Sequence, residues 1–257
     1  MSNPDRSIVR GYGALTEGGA QDRVNEDAVL AVPEHRLFGI ADGFGGSGAG
    51  DAAAKSCLAD VREFVENGLG DSEVTLPFVY RSDYAAGANL VFNAFLHANH
   101  RLHAANKDRP LNARAGASAL FALFTGRHVT LANAGACGAF LARKGRAIEL
   151  VKPRTYNAYR AATHWNPQWA FPMTALGLGP NVEPEIFELR IEPGDVVVMA
   201  TDGVYPYLGP EDFAGLQTLS ESGHLEIDIK QENQILIVNS KESGGMDDRT
   251  VITLVCG

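Results

Sequence analysis

Four clusters of carboxylates stand where apolar runs begin or end. Asp42 follows LFGIA and precedes Gly43, and Asp202 follows VVVMAT and precedes Gly203. Glu26-Asp27 comes just before AVLAV, and Asp247-Asp248 just before the last β-branched run, TVITLVC. A carboxylate at the mouth of a β core is costly to leave unpaired, and there is little Lys or Arg nearby to pair these clusters. Divalent cations resolve the conflict. Hard ions such as Mg²⁺ or Mn²⁺ take carboxylate, carbonyl and water oxygens, and a glycine at 43 lets its backbone carbonyl approach an ion closely. Asp-Gly is also an ordinary turn signal, so residue types alone leave a metal site and a set of turns both standing.

The elements that position these carboxylates are legible from periodicity. Residues 8–32 read as β elements around a Gly-rich connection, and Leu37–Ala41 is a strand running into ADGFGGSGAG, with five glycines in ten positions. Ala54, Cys57, Leu58, Val61, Phe64 and Val65 recur at helical spacing, with Asn67-Gly68 as a stop. A second helix is expected from about Ser82-Asp83, with Ala88, Val91, Phe92, Phe95 and Leu102 on one side and Asn89, Asn93 and His100 on others. From Ser118 to Val151 the pattern is of β hairpins, and strands resume at EIFELRI, DVVVMATDG and TVITLVC. QILIV, at 234–238, has strand composition yet suits the buried stripe of a helix over about 229–241. Strands bracketing two central helices, with no repeat or linker, favour a single α+β domain over 1–257, built on mostly antiparallel sheets.

Composition excludes several classes. The 257 residues carry 22 Lys+Arg against 31 Asp+Glu, a formal charge of −9, with no local basic patch, so no nucleic-acid partner is expected. The longest charge-free stretch, 161–182, is broken by Pro167, Pro172 and Gly177, so no membrane span is expected. The first residues lack the apolar run of a signal peptide, and three cysteines at unrelated spacings suggest neither a disulfide framework nor a zinc site. A cytoplasmic location fits both observations.

Six motifs in order carry a resemblance. NED at 25–27, ADGFGG at 41–46, GASA at 116–119, ANAG at 132–135, ATDGV at 200–204 and DDRTV at 247–251 resemble the motifs of the metal-dependent protein Ser/Thr phosphatases, the type 2C family, across essentially the whole chain. The resemblance implies an α-β-β-α sandwich of two antiparallel sheets flanked by helix pairs, with two divalent cations, Mg²⁺ or Mn²⁺, in a cleft at one end. Carried over by position, Asp42 bridges both cations, Gly43 supplies a carbonyl ligand, and Asp202 and Asp247 complete one cation's set. Glu26 and Asp27 hold metal-bound waters, and Arg23 clamps the substrate phosphate. The implied reaction is attack of a metal-bridging hydroxide on phosphoserine or phosphothreonine. The implied partners are a phosphorylated protein and the Ser/Thr kinase pathway that makes it. The family also places QILIV on a helix.

Four positions depart from the family pattern. Phe44 stands where many members carry a His able to protonate the leaving alkoxide, and Ala136 stands where an Asp would bind a third, weaker metal. Arg23 precedes Asn25 by two residues where three is usual, and 154–178 resembles the family's flap poorly. These departures support a rival expectation, a weak or inactive module of this fold that binds a phosphoprotein or regulatory partner. Other residues have plainer readings. His97, His100 and His103 spread around a helix, Trp165, Trp169 and Phe171 pack under a long loop, and Arg143, Lys144 and Arg146 form a solvated hairpin tip. Cys57 is a core residue rather than a nucleophile.

Overall fold

Strand and helix boundaries follow the apolar runs closely. The computed structural model describes residues 8–19, 23–69, 76–156 and 171–257. In chain order the elements are β1 (Val9–Glu17), β2 (Asp27–Val32), β3 (Leu37–Gly45), α1 (Ala49–Leu69), α2 (Ala86–Asn106), β4 (Ala115–Thr125) and β5 (His128–Ala134). There follow β6 (Gly138–Arg143), β7 (Arg146–Val151), β8 (Glu185–Arg190), β9 (Val196–Ala200), α3 (Leu225–Glu242) and β10 (Arg249–Cys256).

All strand pairings are antiparallel and make two five-stranded sheets, ordered β1-β10-β9-β6-β7 and β2-β3-β4-β5-β8. The period-two alternation of each strand sorts its side chains into separate cores. On β3, Phe38 and Ile40 point between the sheets and meet Leu120, Leu131, Met199 and Ile252, while Leu37 and Ala41 point outward beneath α1 and α2. On β9, Val197 and Met199 face inward, and Val196, Val198 and Ala200 face out toward α3 and the 3-10 turns over 210–221. Both faces of both central strands are therefore apolar, which is why these runs read as continuous rather than alternating. Truncating a ring such as Phe121, fully buried against Phe95, costs about 3–5 kcal/mol.

Three expectations change. α2 begins at Ala86 rather than near Ser82, because Asn89 folds the preceding segment onto itself: its amide accepts from the Arg81 N–H and donates to the Arg81 and Tyr84 carbonyls. Asn89 and Asn93 are thus buried against that segment rather than on an outward face. Arg143 is no solvated tip; its guanidinium donates twice to the buried Asp195, at 2.8 and 2.6 Å. Phe171 is 66% exposed and caps nothing, while Trp165 and Trp169 lie outside the described residues. QILIV lies on α3, whose buried stripe includes Ile229, Asn233, Leu236 and Ile237. Among the described residues, no helix is long and apolar enough to cross a membrane.

Candidate metal centre

The carboxylates singled out by sequence meet at one end of the sandwich because three chain segments stop there together. β2 starts and the apolar part of β3 ends at the same level, so Asp27 and Asp42 are direct cross-strand partners. β9 runs out at Ala200, and Thr201 is pinned beside the start of β10 by hydrogen bonds between the two backbones and from the Thr250 N–H to its hydroxyl. Asp202 follows at once. The Thr201 hydroxyl donates to Asp27 Oδ2 at 2.8 Å, which ties the two sheets together at this end.

Both Asp-Gly pairs serve close approach, and Asp202-Gly203 also turns the chain, with the Val204 N–H donating to the Thr201 carbonyl at 3.0 Å. Neither Gly43 nor Gly203 has a positive φ. A Cβ on Gly43 would sit 2.0 Å from the Gly50 carbonyl oxygen, and one on Gly203 would sit 1.9 Å from that of Asp248. Each glycine lets a second backbone segment press against the residue following an aspartate: the start of α1 at Gly43, the entry to β10 at Gly203. The turn reading gives way to a packing one at Asp42-Gly43, which lies within β3, and holds beside it at Asp202-Gly203.

Charge defines the centre. Burial raises the Asp42 carboxyl to about 7, helped by the charges of Asp247, Asp248 and Glu26. Burial also holds Asp202 and Asp27 well above the usual carboxylate range, Asp202 with added repulsion from Asp42, Asp247 and Asp27, and Asp27 with repulsion from Asp42 against hydrogen bonds that favour its charge. Among the described residues, no Lys or Arg forms an ion pair with Asp27, Asp42, Asp202 or Asp247. Two buried groups nearby also lack hydrogen bonds: Ser118 Oγ, the cross-strand partner of Asp42, and Asn133 Oδ1, opposite Leu120 on β5. This is a hard-oxygen donor set with excess negative charge and no protein cation, which fits Mg²⁺ or Mn²⁺. Among the described residues, no three His, Cys, Asp or Glu side chains stand in a ready-made metal-holding cluster. The carboxylates are coupled by charge, not closed on a single point.

The remaining positions separate. Glu26 is a structural anchor as well as an acid: its Oε1 accepts from the Gly50 N–H at 2.9 Å and its carbonyl from the Gly43 N–H at 3.0 Å. Asp247 is exposed at the entrance, its Oδ1 accepting from the Asp248 N–H. Arg23 stands on the rim with its side chain 67% exposed, 3.9 Å from Glu26. Thr201 was not singled out from the sequence, and Asp248 entered only as the neighbour of Asp247 in a carboxylate pair. Asp248 accepts from the Gly19 and Glu26 N–H groups, both at 2.7 Å, and so fastens the loop before β2. Only the DD doublet hinted at it. Phe44 packs across Gly116 and offers no proton. Ala136 is fully buried and cannot ligate. Cys137 is buried too, its thiol pushed well up by burial and then by Asp42, Asp27 and Asp202, and Cys57 is pushed up by burial, so neither is a nucleophile.

With that geometry in place, the chain matches the family model described as Protein phosphatase 2C over residues 16–157. It is 25% identical over 257 residues to the serine/threonine protein phosphatase PstP of Mycobacterium tuberculosis, an alignment covering 96% of this chain and 45% of PstP. The chain thus spans about half the length of that curated relative. The crystal structure of the M. tuberculosis phosphatase PstP/Ppp superposes with a TM-score of 0.73 at 22% identity, covering 96% of this chain and 98% of that one. A PstP catalytic domain in complex with two manganese ions gives 0.72 at 22% identity, covering 95% and 98%. At such identity these structures speak to the fold.

Proposed function

Because the chain belongs to the protein phosphatase 2C family, we propose that it is a metal-dependent protein serine/threonine phosphatase, acting as one catalytic domain on phosphoserine or phosphothreonine in a phosphorylated protein. One observation carries the reading: Asp27, Asp42 and Asp202 are coupled by charge at one end of the sandwich with raised carboxyls and, among the described residues, no cation paired to them. A fold that only bound a partner would have no physical use for that cost. A relative of known structure carries two manganese ions, which supports a two-cation site here.

In this reading Asp42, Asp202, Asp247 and the Gly43 carbonyl hold the cations, either Mg²⁺ or Mn²⁺. When bound, such ions would supply a water acidified enough to act as a nucleophile near neutral pH and would offset phosphoryl charge. The protein's own groups do the rest. The Thr250 N–H and Thr201 hydroxyl orient Asp27, which accepts hydrogen bonds from water in the cleft. Glu26 does the same while holding α1 against β3. Arg23, already on the rim, swings from Glu26 to take two phosphate oxygens. Phe44 leaves protonation of the departing alkoxide to water. The phosphoprotein substrate implies a Ser/Thr kinase pathway acting in the same compartment, which we take to be the cytoplasm.

The test is release of phosphate from phosphoserine and phosphothreonine peptides. Mn²⁺ or Mg²⁺ should be required, and EDTA should abolish turnover. The rival reading, a binding module without turnover, draws on Phe44 and Ala136; it predicts metal-insensitive phosphopeptide binding and no phosphate release from the wild type.

A further inference from the structure

A cavity of about 490 Å³ opens beside Asp202, between the β6–β7 hairpin and the 3-10 turns over 205–213. Asp202 forms part of its wall, so the cavity and the acidic cleft share a boundary. Its opposite wall is aromatic. Phe140 stacks on Tyr205 at 5.0 Å between ring centroids and tilts against Phe213 at 4.8 Å. Tyr205 can lie flat there because Gly138 has no side chain: a Cβ would come within 2.2 Å of the tyrosine ring. Pro153, Pro206, Leu208 and Ala136 complete an apolar lining.

The polar lining groups are few. The Tyr205 hydroxyl donates to Glu149, so these two satisfy each other. Lys152 is exposed at the rim. Asp202 and Glu149 make the walls repellent to an anion, and nothing on the aromatic side offers a buried donor for one. Just beyond the rim, the chain pairs Thr155 with Pro172, and the neighbouring Tyr156, Phe171 and Met173 are exposed at 58%, 66% and 55%. Three large exposed side chains thus flank a single bridge next to Thr155, which itself lines the cavity.

We propose that this cavity is a substrate subsite that receives an apolar side chain, aromatic or large aliphatic, of the phosphopeptide within about two residues of the phosphorylated position, at ~3.3 Å per residue of extended chain. The inference rests on the phosphatase reading, since it is the shared Asp202 boundary that makes the cavity's occupant part of the same peptide. Its size lies in the lower half of the ~300–1,000 Å³ range of ligand pockets, enough for one ring with the backbone that carries it. Burial of that side chain is then felt in kcat/KM, with the gain arising mainly in KM if it binds ground state and transition state alike.

The experiment compares phosphothreonine peptides that differ only in the residues flanking the phosphothreonine, Leu or Phe against Gly against Asp on either side, with p-nitrophenyl phosphate as a reference without flanking residues. With Mn²⁺ present, kcat/KM for the Leu or Phe peptide should exceed that for the Gly peptide by about tenfold on one side. The Asp peptide should fall at or below the Gly peptide. In Ala147→Trp, which fills the cavity from an exposed position on β7, the Leu-to-Gly ratio should drop toward one. Equal kcat/KM for all flanks, or a ratio that survives Ala147→Trp, overturns the subsite while leaving the phosphatase reading intact. Failure to turn over any peptide or p-nitrophenyl phosphate overturns the phosphatase reading, and the subsite falls with it.

Discussion

Asp195 and Asp202 bracket the same strand, β9, one before its first residue and one just past its last, and their surroundings are opposite. Asp195, 1% exposed, accepts two hydrogen bonds from Arg143 and one from the Glu192 N–H at 2.7 Å. Lys144 then pairs with Glu192 at 2.6 Å outside it. Asp202 faces three other carboxylates and no cation. The same residue type flanking the same strand is neutralised where the protein supplies the counter-charge, and is left repelled, free for the proposed cation, where it withholds it. A buried acid tells little until its partners are known.

The comparison can be broken at each end. Asp202→Ala should lower phosphatase kcat/KM by about 10³-fold, since a cation loses its ligand, while the metal-free protein keeps or gains thermal stability through relief of repulsion. Phosphate release and a melting curve in EDTA read the two effects. Asp195→Ala should do the reverse: about 1.5–3 kcal/mol of stability lost, because Arg143 loses two charge-assisted hydrogen bonds and keeps only Glu192 and the Arg190 carbonyl, with turnover per folded molecule retained. Urea unfolding checks the first half. A smaller effect concerns pH. The Asp42 carboxyl ionises near 3.8 in the open chain and at about 7 in the fold. The fold therefore binds that proton more tightly, and its contribution to stability is lost as pH rises through that window. In EDTA, the melting temperature of the wild type relative to Asp42→Asn should fall between about pH 5 and about pH 7.5, and Mn²⁺ should recover most at the upper end. Smallest of all, Lys144→Ala should change stability by less than about 0.5 kcal/mol, since its pair with Glu192 is exposed. A larger loss would mean that the Asp195 corner depends on its outer pair.

Local signals were legible in the sequence and long-range pairings were not. Asp42 and Asp202 could be found because each directly follows a buried apolar run, and α1 because its stripe is uninterrupted. α3 hid its period because two of its buried positions are polar: Asn233 reaches the Gly13 carbonyl and the Thr253 hydroxyl, and Ser240 bonds back to Ile237. Arg143 looked like a solvated tip because its partner lies 52 residues away. Asp248 looked like a twin of Asp247 because the two N–H groups it holds, Gly19 and Glu26, are over 200 residues distant in the chain. Asn89 and Asn93 looked outward for the same reason: nothing at helical spacing reports that the segment before α2 folds back on them. The two Asp-Gly pairs have a cause that spacing does not report, since the glycines make room for Gly50 and Asp248, and only Asp202-Gly203 also turns the chain.

The central claim is that the uncompensated carboxylates at the end of β9 await cations. Calorimetric titration of the metal-free protein with Mn²⁺ near pH 7 tests it most directly. The account predicts two ions per chain, as in the manganese-bound relative, with protons released because Asp42 and its neighbours must ionise to ligate, and with that binding lost in Asp42→Asn but kept in Asp195→Asn. Absence of binding, or binding indifferent to Asp42→Asn, would contradict it.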